Sequence, residues 1–116
     1  MNHFDDREKA FEAKFHVDGE LAFKVNARRD KLLGVWVAEK IGLAGTAAED
    51  YAKAVVQMDL QDKHHSAMVT KLLQDLSAAG ASVGETELRA EMDRLVQSAR
   101  QQILVEVGSG QQTLSP

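Results

Sequence analysis

Apolar residues recur along most of the chain with the spacing of a single helix face, and they fall into four separate stripes. The first runs over about 21–41 through Leu21, Val25, Leu32, Leu33, Trp36 and Val37. Gly42 follows where a helix would end, and Gly45 continues the break. Thr46, with Glu49 three residues on, predicts a capping box that opens a second helix over about 47–60. Its apolar side is Ala48, Tyr51, Ala52, Val55 and Val56. The polar run Gln61, Asp62, Lys63, His64 and His65 then marks a turn. A third helix continues to about Ala79 with Met68, Val69, Leu72, Leu73 and Leu76 on one stripe, and Gly80 stops it. A last helix spans about 85–106 through Leu88, Met92, Leu95, Val96, Ala99 and Ile103. No stretch alternates with the two-residue period of a half-buried strand, and the only proline is Pro116, the final residue. The pattern predicts an all-α protein: a four-helix bundle over 21–106, with a flexible N-terminal arm at 1–20 and a disordered C-terminal tail at 107–116. That tail is rich in Gly, Ser and Gln.

The first twenty residues stand apart from the bundle. Phe4, Phe11 and Phe15 are spaced by seven and four, which puts them on one face of a helix wherever a helix forms. Around them the segment is nearly all charge: Asp5, Asp6, Arg7, Glu8, Lys9, Glu12 and Lys14. Asp5 precedes Lys9 by one turn, the favourable order for an ion pair on a helix, worth a few tenths of a kcal/mol. So short a helix is marginal alone in water, because nucleation is costly. Two readings stay open on these residues. Either the arm orders only when a partner covers its Phe face, or the three rings fold back and complete the core.

Composition narrows the classes. The 116 residues fit one domain, and 44 % of them are hydrophobic, enough for a modest core. No run approaches 18 apolar residues, so direct membrane insertion is not expected, and the charged N-terminus is unlike a signal peptide. The absence of cysteine removes disulfides and thiolate metal sites, and agrees with a cytoplasmic setting. A formal charge of −4 argues against nucleic acid as a partner.

Candidate chemistry is sparse. Arg28, Arg29, Asp30 and Lys31 form the densest basic cluster and are expected to be a solvated helix face. His64 and His65 are adjacent, so they point about 100° apart on a helix and cannot chelate as an i, i+4 pair would. A surface turn is expected there, with no metal and no cofactor. The Gly42–Thr46 stretch lacks the Lys of a phosphate loop, and no serine stands in a nucleophile elbow. No catalytic residue is proposed, and an enzyme is not expected. Trp36 reads as a central core residue, with Gly34 admitting a close neighbouring helix; the alternative is an interaction hot spot.

The segments FDDREKAFEAKF at 4–15 and ARRDKLLGVWVAE at 27–39 resemble the zeta subunit family of alphaproteobacterial F-type ATP synthases, which are ATPase inhibitors. The likeness runs from about Phe4 to Ile103 and leaves out the tail. It implies a regulatory protein that is a monomer when free, cytoplasmic, and peripheral to the inner membrane when bound to the synthase. It implies that the arm enters the catalytic head between alpha and beta subunits and blocks ATP hydrolysis. The inhibitory contacts would come from Phe4, Asp5, Asp6, Arg7, Glu8, Lys9, Phe11, Glu12, Lys14 and Phe15. The chain departs from the family pattern in the turn carrying His64 and His65, where the family is acidic. Outside that resemblance, a helical adaptor for another complex and a nucleotide-sensing bundle remain alternatives.

Overall fold

A computed structural model describes residues 19–60, 62 and 64–108. Four helices account for nearly all of them, in the order α1 Gly19–Lys40, α2 Gly45–Asp59, α3 Ser66–Ala78 and α4 Glu85–Gly108, and there is no strand among the described residues. The four stripes thus become the four helices of an all-α bundle.

The ends of the helices follow from local chemistry. Gly42 takes φ +91 after α1, and Gly80 takes φ +77 after α3. This left-handed turn costs glycine little, and it swings the chain back so that orphaned carbonyls are satisfied. Leu43 N–H donates to the Ala38 carbonyl at 2.8 Å, and Ala81 N–H to that of Leu76 at 2.9 Å. The second helix begins earlier than the capping box predicts. Ala44 is its N-cap and has no side-chain group to make a cap bond, and the left-handed Gly45, φ +58, leaves Thr46 inside the first turn. The last helix opens with Glu85 and Glu87 in its first turn, where the helix dipole favours acids. It runs past the predicted end, and Val107 packs against apolar residues of α1 and α4.

Every helix pair is in contact except α2 with α4, so α1 meets all three of its neighbours. The main core is Leu33 and Val37 of α1, Val55 of α2, Met68, Val69, Leu72 and Leu76 of α3, and Leu88, Met92 and Leu95 of α4. A second cluster, Leu21 and Val25 against Ala99 and Ile103, involves α1 and α4 alone among the described residues. Between α1 and α2 the approach is closer than side chains allow. A Cβ on Gly34 would stand 2.7 Å from Ala52 Cα, so only glycine fits. The expectation for Gly34 therefore holds. That for Trp36 does not: it is half-buried at the edge of the core, with Lys40 Nζ 4.7 Å above its ring. Leu33 and Val37 occupy the centre instead, both fully buried.

Candidate functional site

The residues expected to contact a partner, Phe4 to Phe15, lie outside the described residues, as does the tail beyond Gly108. What the structure gives is the start of α1. Among the described residues, α4 alone accompanies the part of α1 that follows Gly19. There Leu21 and Val25 are buried against Ala99 and Ile103. Arg28 grips α4 with both arms of its guanidinium, donating to Glu106 at 2.9 and 3.0 Å and to Gln102 at 2.8 Å. A bidentate pair of this kind fixes geometry as well as adding energy. Around it Phe23 is 48 % exposed and Val105 64 % exposed.

The basic cluster is not the solvated face expected. Arg28 is turned to α4, while Arg29 and Asp30 are buried. Arg29 Nε donates to Asp30 Oδ1 at 2.7 Å, and its Nη2 stands 3.6 Å from Asp59 Oδ2 at the end of α2. Arg29 thus brings the buried carboxyls of Asp30 and Asp59 to one guanidinium. Burial, then the neighbouring Asp59, pushes the Asp30 carboxyl up to about 8 against the opposing pull of Arg29. Asp30 is thereby biased toward its protonated form, in which it can donate to Asp59. These arginines are engaged in internal pairs rather than offered to a phosphate. Two open grooves along α4, one lined by Gln101, Gln102 and Val105 and the other by Gln97, Leu104 and Val105, include neither Arg29 nor Lys31.

The histidine turn is only half as expected. His64 is exposed, but His65 is turned inward, in a left-handed conformation with φ 60 at the N-cap of α3. With its proton on Nδ1, the ring donates to the Asp59 carboxylate at 2.8 Å and offers Nε2 to Arg29 Nη2 at 3.5 Å. The strained backbone is held by these contacts. Asp62 supplies the cap that His65 does not, accepting from Ala67 N–H at 2.7 Å and from His64 N–H at 3.0 Å. Those bonds hold its carboxyl below the usual range. No group of three potential metal ligands comes together among the described residues.

Arg29, Asp30, Asp59 and His65 therefore form one buried polar cluster joining α1, the end of α2 and the start of α3. Sequence reasoning missed it, although a signal existed. Leu21, Val25, Arg29, Leu33 and Val37 form an unbroken i+4 ladder with a charge in its middle, and Asp59 continues the ladder of Val55. Asp59 also stands at a helix C-terminus, where the dipole disfavours an acid, and such an acid calls for a cationic or donating neighbour.

Residues 1–102 match a family model described as ATPase inhibitor subunit zeta. No curated protein matches the sequence.

Proposed function

The chain belongs to the ATPase inhibitor subunit zeta family, and from that premise we propose that it inhibits ATP hydrolysis by F-type ATP synthase through residues 1–20. In this reading the arm enters the catalytic head between an alpha and a beta subunit. The bundle at 21–106 stays outside as an anchor, and the chain acts at the cytoplasmic side of the inner membrane. It is a regulator and not a catalyst.

The observation that carries the reading is the family match, which covers residues 1–102 and so takes in the arm as well as the bundle. Among the described residues, α1 to α4 build two apolar clusters, and no buried side-chain nitrogen or oxygen lacks a hydrogen-bond partner. In this reading Phe4, Phe11 and Phe15 are directed at a partner; in the alternative they complete the bundle. Burying each ring in a partner supplies about 2 kcal/mol, offset by the cost of ordering the arm. Asp5, Asp6, Arg7, Glu8, Lys9, Glu12 and Lys14 would orient the helix at a polar subunit interface, where charges set specificity and association rate.

The test is to titrate the purified chain against ATP hydrolysis by the isolated head of its cognate synthase. Saturable loss of hydrolysis is expected. Unchanged hydrolysis at all concentrations would contradict the proposal.

A further inference from the structure

The buried cluster has a property that the inhibitory arm does not need. It places two carboxyls and one guanidinium where water does not reach, with a histidine at the edge. Asp30, Arg29 and Asp59 each keep less than a tenth of their surface in solvent, so the number of protons held there decides whether the charges balance. With one proton shared between Asp30 and Asp59, the remaining carboxylate matches Arg29. Remove that proton and two carboxylates face one guanidinium, with repulsion that burial strengthens.

The consequence is mechanical, because the cluster is what ties the turn between α2 and α3 to α1. Asp59 ends α2, and His65 begins α3 with a left-handed backbone that its bond to Asp59 helps to hold. We propose that this cluster is a proton-dependent latch: Asp30 holds a proton against Asp59, and loss of that proton loosens the α2–α3 turn from α1. The latch does not depend on the inhibitory reading of the arm.

The groups acting on Asp30 come from three elements. Arg29 faces it from its own helix and favours the charged form, while Asp59 faces it from α2 and favours the protonated form. His65 joins from the turn through its contacts with Asp59 and Arg29. On the α4 side, Glu106 is engaged by Arg28. The sign follows from linkage. The latched state binds the Asp30 proton more tightly than an open state in which the carboxyl is solvated. Its advantage is therefore complete below the ordinary carboxylate range and is lost progressively as pH rises toward the latched value of about 8, beyond which it levels off. One proton changes the ratio of latched to open forms by at most about tenfold per pH unit.

Asp30→Asn separates the latch from simple packing. Its amide keeps an oxygen for Arg29 Nε and an N–H for Asp59, so it imitates the protonated acid and cannot titrate. Amide exchange protection at Ala67 and Met68, corrected for the intrinsic rate, should fall in the native chain between pH 5 and pH 8. In Asp30→Asn it should fall distinctly less over the same range. The carboxyl carbon shift of Asp30 in the native chain should titrate well above the ordinary carboxylate range. Equal slopes for the two proteins would overturn the latch. A native Asp30 carboxyl that titrates near pH 4 would overturn it too, even if the variant failed to fold.

Discussion

Among the described residues, four helices close over a common interior at one end of the bundle, and two meet at the other. Leu72, Leu76 and Leu88 are fully buried in a core to which every helix contributes. Leu21, Val25, Ala99 and Ile103 are buried as well, yet α1 and α4 alone supply them, and Phe23 and Val105 stand exposed beside them. The same two helices take part in both regions, so helix propensity does not separate them. What differs is the number of neighbours over which an apolar face can be spread. A four-helix interior is closed on every side, whereas a two-helix pair has flanks over which, among the described residues, side chains such as Arg28 lie.

The comparison predicts unequal costs for similar truncations. The largest should follow Leu72→Ala, with about 3–5 kcal/mol lost, comparable to the whole stability of a small domain. Chemical denaturation should show it as a fall in midpoint. Gly34→Ala adds only one carbon, but that carbon meets the Ala52 backbone, so α1 and α2 must separate and about 3 kcal/mol should be lost. A loss below about 0.5 kcal/mol would mean that the helices slide apart without cost. Ile103→Ala, at the two-helix end, should cost about 2 kcal/mol, the low end for such a change. Its effect should concentrate in amide exchange at the start of α1 and the end of α4. If it spread evenly through α3, the two regions would be one cooperative unit. Tyr51→Phe should be smallest. It removes the bond from the Tyr51 hydroxyl to Asp75 Oδ2 at 2.6 Å, which links α2 to α3, and should cost about 1 kcal/mol.

Most of the main core's apolar ladder was legible, although Leu32, Val56, Leu73 and Val96 of the expected stripes are only partly buried. Met68, Val69, Leu72 and Leu76 point inward as their i, i+3, i+4 spacing requires, and Gly42 and Gly80 end their helices as expected. Periodicity sorts positions by angle, so it ranks Trp36 beside Leu33 and Val37. It carries no information on how far a large ring can enter, and Trp36 stops at the rim under Lys40. Polar residues on the buried face were invisible for a different reason. Arg29 and Asp30 look like solvent-facing charge until Asp59 and His65, far along the chain, are brought beside them. Burial of such groups depends on partners that a local pattern does not contain. The spacing of Phe4, Phe11 and Phe15 on one helix face lies outside the described residues, and the role proposed for them rests on the family to which the chain belongs.

The central claim is that the closed bundle anchors and the arm inhibits. It is tested most directly by replacing Phe4, Phe11 and Phe15 together with Ala. ATP hydrolysis by the isolated synthase head is then titrated with native and variant chains, beside thermal melts of both. Losing three apolar contacts at about 1–2 kcal/mol each should weaken inhibition by orders of magnitude, while the melting temperature stays unchanged. Equal inhibition by the two proteins would contradict the account, and a large drop in melting temperature would return the three rings to the core.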